Sequence, residues 1–171
     1  MAVKLRHVPS TVKKTNLCNI KNKPASIEVV RTMKKLLMEK GWTTKADAKD
    51  NAGYPVHGSS RTARSFSVTG AFERSMMDAV SNKRMTWTET DELSLVFRQV
   101  TYLASGRATI SLQEFNDNIA FKKSDVIALL DIVEKYIANE DPEVSLTDIC
   151  NIVDRERAEK ARIATEERGY A

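Results

Sequence analysis

The stretch that decides the fold is Ser124-Asp125-Val126-Ile127-Ala128-Leu129-Leu130-Asp131-Ile132-Val133-Glu134-Lys135-Tyr136-Ile137. Val126, Leu129, Leu130, Val133 and Ile137 recur at the spacing of one face of an α-helix, the strongest such pattern in the chain. Ser124 or Asp125 opens this helix, and Asp141-Pro142 breaks it, because proline lacks the amide the helix needs.

Working back towards the N-terminus, Ser111 and Glu114 form a capping box for a short helix through Phe115. Before it, Thr88 is expected to cap a helix with Asp91 at the capping-box distance. Leu93, Val96, Phe97, Val100, Leu103 and Ala104 form its apolar stripe, and Gly106 ends it. A further helix is expected from about Ala63–Phe66 to Val80, with Phe66, Thr69, Phe72, Met76 and Val80 on one face. Gly70 and Ala71 in its middle would let another helix approach closely. The first helix spans 27–40, capped by Ser26, with Ile27, Val30, Met33 and Leu37 inward and Gly41 at its end. Arg31, Lys34 and Lys35 on its other face read as a solvated surface.

Working forward, Ser145 caps a last helix with Leu146, Ile149, Ile152 and Val153 apolar. After Asp154 the chain is densely charged and helix-favouring, with almost no apolar face, so it is expected to project from the body or lie against a partner. No strand alternation rivals these signals. The expectation is a mostly α fold: a compact bundle of five or six helices in a single helical domain over 26–153, with a charged helical tail over 154–171.

One long segment, about 42–64, departs from the helical pattern. Lys-Asp-Asn-Ala-Gly-Tyr-Pro-Val-His-Gly-Ser-Ser (49–60) is turn chemistry throughout, and a short β-hairpin across Asn51-Ala52-Gly53 is conceivable. Loops of this length inside compact domains are often functional.

Residues 1–25 form an extended N-terminal arm. It holds Lys4, Arg6, Lys13, Lys14, Lys21 and Lys23 and no acidic residue. The chain's formal charge of +4 comes from 27 Lys and Arg against 23 Asp and Glu. The arm carries +6, so everything after it is slightly acidic. Such an arm binds phosphates by counterion release or lies along an acidic neighbouring subunit. These six cations are the candidate partner-binding residues. Lys83, Arg84, Lys122 and Lys123 offer smaller basic patches. No nucleic-acid recognition motif accompanies them, and no aromatic interleaves with the arm.

Chemistry is sparse in the rest of the chain. With 171 residues, 42% hydrophobic and 29% charged, the composition is that of a globular protein. No apolar run approaches the ~20 residues of a membrane-spanning helix. Cys18 and Cys150, the only two cysteines, exclude a disulfide-dense scaffold; a bridge between them requires that the two ends meet. Cys150 otherwise reads as an inert buried thiol. His57, beside Ser59, Ser60 and Arg61, offers a base for a nucleophile, although an exposed loop histidine is the plainer reading. Asp47 and Asp50 lie three residues apart with no third ligand, a poor metal site. No catalytic, cofactor-binding or metal set is assigned, and the protein reads as a non-enzyme.

Several short motifs carry a resemblance. Gly41-Trp42, Asp50, Gly53, Ala63-Arg64-Ser65-Phe66, Gly70-Ala71, Phe115-Asn116-Asp117 and Val126-Ile127-Ala128-Leu129-Leu130-Asp131 occur in that order. Over about residues 30–137 the chain resembles a family of small uncharacterised domains found in bacteriophages and actinobacteria. It departs from that family at Ser67, where the family tends to carry Cys, and at Phe115, where it tends to carry Trp. The resemblance implies a phage-associated context but no activity and no functional residues. On that basis Trp42 and Phe115 are expected as core aromatics and Asn116-Asp117 as a turn and cap. The functional expectation is a component of a virion or other assembly, in the host cytoplasm or virion, whose arm lies on a neighbouring protein subunit. The alternative is a nucleic-acid-binding or host-takeover regulator.

Overall fold

A computed structural model describes residues 20–105, 111–138, 154–155 and 158–166. The arm cations Lys4, Arg6, Lys13 and Lys14 lie outside them, as do both cysteines, Gly106, Asp141-Pro142 and the expected helix from Ser145 to Val153. The side chains of Leu103 and Ala104 lie outside them too.

The fold is mostly α. Helices α1 (Lys23–Glu39), α2 (Val68–Ser81), α3 (Trp87–Ser105), α4 (Leu112–Glu114) and α5 (Lys123–Ile137) surround one apolar core. A three-stranded antiparallel sheet of two-residue strands, β1 (Ala48–Lys49), β2 (Pro55–Val56) and β3 (Ser65–Phe66), lies between α1 and α2 in order β2-β1-β3. Helix α1 packs against both α2 and α5. All five apolar residues of the α5 stripe are buried, facing Val30, Met33 and Leu37 of α1 and Leu93, Val96 and Phe97 of α3 within one cluster. Each such side chain stabilises the fold by ~1.5–3 kcal/mol relative to its exposure. Phe72 and Phe97 meet edge to face at 5.4 Å between ring centroids.

The ends of the helices correct several expectations. Helix α1 opens at Lys23, not Ile27: Asn22 accepts from the Ala25 amide, Pro24 occupies the first turn, and Ser26 is buried inside the helix. Lys23, Pro24 and Ala25, expected in the arm over 1–25, are thus helical, because proline's fixed φ suits a helix's first turn. Helix α3 is capped by Thr86, not Thr88. Thr86 Oγ1 accepts from the Glu89 amide at 3.3 Å, and Glu89 Oε2 accepts from the Thr86 amide at 2.6 Å. The capping box at Ser111 and Glu114 stands as expected, at 3.0 Å. In α5 the cap position is Lys122, without a side-chain bond; Asp125 instead reaches back to accept from the Phe121 amide at 2.9 Å.

The cationic face of α1 is not merely solvated. Arg31 Nε donates to Glu134 Oε1 at 2.6 Å, and Lys34 bonds Glu134 and, at 2.9 Å, Asp131. Burial disfavours the Lys34 ammonium, but its bonds to Glu134 and Asp131 prevail and raise its pKa. Burial likewise disfavours the Glu134 carboxylate, and its bonds to Lys34 and Arg31 prevail to hold its pKa low.

In the tail, residues 158–166 are helical and Arg162 pairs with Glu159 and Glu166. Arg155 does touch the body: it donates to the buried Asp125 at 2.9 Å and lies 5.5 Å above the Phe121 ring.

Candidate functional site

The 42–64 segment contains the hairpin that Asn51-Ala52-Gly53 suggested. Ala48 pairs with Val56 and Lys49 with Pro55. Asp50 builds its turn: Oδ1 accepts from the amides of Ala52 and Tyr54, both at 2.9 Å, and Gly53 takes φ +84°. Asp50 is thereby engaged in the turn and does not join Asp47 in a cation-binding group.

Asp47 sits at the entry to β1, and its carbonyl accepts from the Ser67 amide at 2.8 Å. This brings its backbone onto α2 at Gly70, where an added Cβ would stand 1.9 Å from that carbonyl oxygen. Gly70 permits a close approach, as its sequence position suggested, but the neighbour is the hairpin segment rather than another helix. Gly58 packs from the other side, its missing Cβ lying 2.7 Å from the Gly70 carbonyl.

Three side chains converge on this junction. The ligand atoms of Asp47, His57 and Glu73 lie within 4.8 Å of one another. His57 Nε2 stands 3.4 Å from Glu73 Oε2, and its Nδ1 lies 2.7 Å from Ser59 Oγ. Glu73 Oε2 is shielded from solvent with no hydrogen-bond partner of good geometry. Burial pushes the Glu73 carboxyl up and Asp47 adds to this, against the opposing pull of His57 and the Gly58 amide. Of the other expected partners of His57, Ser60 bonds Thr62 at 2.8 Å and Arg61 is exposed. Asp47 and His57 line an open depression of about 520 Å³ together with Lys45, Pro55, Val56, Gln113 and Asp117 among others.

The far wall is a π-helical turn over Phe115–Ile119. Phe115 is buried as expected; Trp42 is only half-buried, and its Nε1 donates to Asn116 Oδ1 at 2.8 Å. Asn116 also accepts from the Val68 amide at 2.9 Å and donates to the Thr43 carbonyl at 3.1 Å. Asp117 takes the Lys45 amide at 2.8 Å together with bonds from Asn116 and Gln113. Burial alone would raise its pKa; those three bonds and the Lys45 charge outweigh this and lower it. The sequence pairing Asn116-Asp117 is thus a cap for α2 and a clamp on the loop.

A second feature is the root of the arm. Ile20 is buried. The Lys21 amide donates to Glu92 Oε2 at 3.2 Å, its Nζ lies 3.7 Å from Glu92 Oε1, and Asn22 Nδ2 donates to the Arg84 carbonyl at 3.1 Å. Lys23 belongs to α1. Of the smaller basic patches, Arg84 is paired with Glu28, while Lys83, Lys122 and Lys123 are exposed. Beside the root, Trp87 at the start of α3 is 58% exposed.

Among the described residues no helix is long and apolar enough to cross a membrane. No protein-family model, curated protein or solved structure matches the chain.

Proposed function

We propose that the protein is a non-enzymatic component of a phage-associated assembly, acting by binding neighbouring protein subunits through its N-terminal arm. The observation that carries this reading is the anchored root. Buried Ile20, Lys21 against Glu92 and Asn22 against Arg84 fix where the arm leaves the body. A root fixed in this way leaves less orienting entropy to lose when the preceding segment binds a neighbour.

With Lys21 paired and Lys23 in a helix, the binding charge falls to Lys4, Arg6, Lys13 and Lys14. The exposed Trp87 beside the root supplies the kind of aromatic anchor that dominates interface energetics. The resemblance to phage and actinobacterial domains motivates the assembly context.

The test is pull-down with the full chain, with a variant lacking residues 1–19, and with Trp87→Ala. Both changes are expected to reduce recovery of protein partners. Unchanged recovery from the truncated variant would sink the proposal. Recovery of nucleic acid instead, with affinity falling steeply as salt rises, would replace it with the regulatory alternative.

A further inference from the structure

The geometry points to a divalent transition-metal site formed by Asp47, His57 and Glu73, with zinc the ion that fits it best. This goes beyond the arm-based reading and stands or falls separately from it. The three residues come from three places in the chain: the entry to β1, the turn after β2 and the second turn of α2. Only the fold brings them together, and no other such group occurs among the described residues.

Donor atoms sharing one tetrahedral zinc ion at ~2.0–2.2 Å lie about 3.3–3.6 Å apart. The spread of up to 4.8 Å here closes by about 1 Å through rotation of the exposed His57 ring and of the two carboxylates. Two carboxylates neutralise a divalent ion, and one imidazole nitrogen selects borderline metals over magnesium and calcium, which take all-oxygen sets.

A second observation points to a ligand. Glu73 Oε2 is removed from water and meets no hydrogen-bond partner of good geometry, although His57 Nε2 lies 3.4 Å away, and a Cβ on Gly58 would stand 2.9 Å from it. A cation satisfies that oxygen. Ser59 holds the His57 ring at its Nδ1 edge, with its Oγ at 2.7 Å and its amide donating to Nδ1 at 3.3 Å, so that Nε2 faces Glu73. The open depression leaves the remaining coordination positions to water. A bound ion would cross-link the hairpin segment to α2, stabilising the folded chain in proportion to its occupancy.

The test uses full-length, tag-free protein stripped with a chelator, titrated with Zn2+ by calorimetry and followed by Tm. One equivalent of Zn2+ is expected to bind, and Tm to rise with its concentration. His57→Ala and Glu73→Gln are each expected to weaken binding at least tenfold, while His7→Ala leaves it unchanged. Excess Mg2+ is expected not to compete. The site is overturned if Zn2+ leaves Tm unmoved, if the His57 and Glu73 variants bind as the parent does, if binding depends on His7, or if Mg2+ displaces the ion. Circular dichroism of each variant before titration separates lost binding from lost folding.

Discussion

Trp42 Nε1 donates to Asn116 Oδ1 at 2.8 Å, joining residues 74 positions apart in the chain. The same oxygen accepts from the Val68 amide, and the Asn116 amide group donates to Thr43 and Asp117. A fully buried side chain thereby uses both acceptor and both donor sites. It ties the end of α1, the start of α2 and the π-helical turn into one junction.

Asn116→Ala is expected to destabilise the protein by roughly 2–4 kcal/mol, because it leaves the buried Val68 amide and Thr43 carbonyl without partners. Urea unfolding measures the loss. Trp42 fluorescence should shift in the folded state, since its indole N–H loses its acceptor. A loss below about 0.5 kcal/mol would show that water replaces the side chain at no cost.

Gly70 sets two physical effects against each other. Helix propensity favours Gly70→Ala by ~1 kcal/mol. Sterics oppose it, since the new Cβ would stand 1.9 Å from the Asp47 carbonyl oxygen, a backbone atom that cannot rotate away. Overpacking of this kind costs ~1–3 kcal/mol or more, so the variant is expected to unfold at lower urea. A more stable variant would mean that the hairpin segment is not seated on α2.

Much of this arrangement was legible in the chain, and what was not has a physical reason. The core stripes of α1, α3 and α5 show because helical periodicity is a local property. Thr86-Trp87-Thr88-Glu89 held the preferred capping box in plain view, whereas Asn22-Lys23-Pro24 marks the start of α1 better than Ser26 does. The pairing of Lys34 with Glu134, 100 positions apart, leaves no local trace, and Lys34 alone looks like any exposed lysine. Glu73 was invisible as a neighbour of Asp47 and His57 for the same reason. Gly70 was the one signal available: a glycine inside a helix announces that something comes close, though not what.

Helix α2 ends in a Schellman motif with an unusual residue. The Arg84 amide bonds the Ala79 carbonyl and the Lys83 amide bonds the Val80 carbonyl, both at 2.9 Å, which places Lys83 at φ +56°. That position normally holds glycine. Lys83→Gly is expected to stabilise the protein by about 1 kcal/mol, the cost of left-handed backbone for a residue with a Cβ. Thermal unfolding reads the gain, and a fall in Tm would count against the geometry.

The α1–α5 ion network predicts acid sensitivity. Although burial opposes ionisation, bonds from Lys34 and Arg31 hold the Glu134 pKa below that of the unfolded chain. A group with a depressed folded pKa contributes stability that is fully present above its unfolded pKa, near 4.3, and lost as pH falls through the lower folded value. Stability should therefore decline as pH drops below about 4.5. Glu134→Gln should remove part of that slope while lowering stability at neutral pH. The pairs are only partly shielded, with 67% of the Arg31 side chain exposed, so water screening limits each to about 1 kcal/mol or less. Added salt should weaken them further at neutral pH. Chemical unfolding at several pH values tests this directly. Identical acid slopes in the parent and Glu134→Gln proteins would show that Glu134 titrates alike in the folded and unfolded chains, and that the α1–α5 contact is held by its apolar face alone.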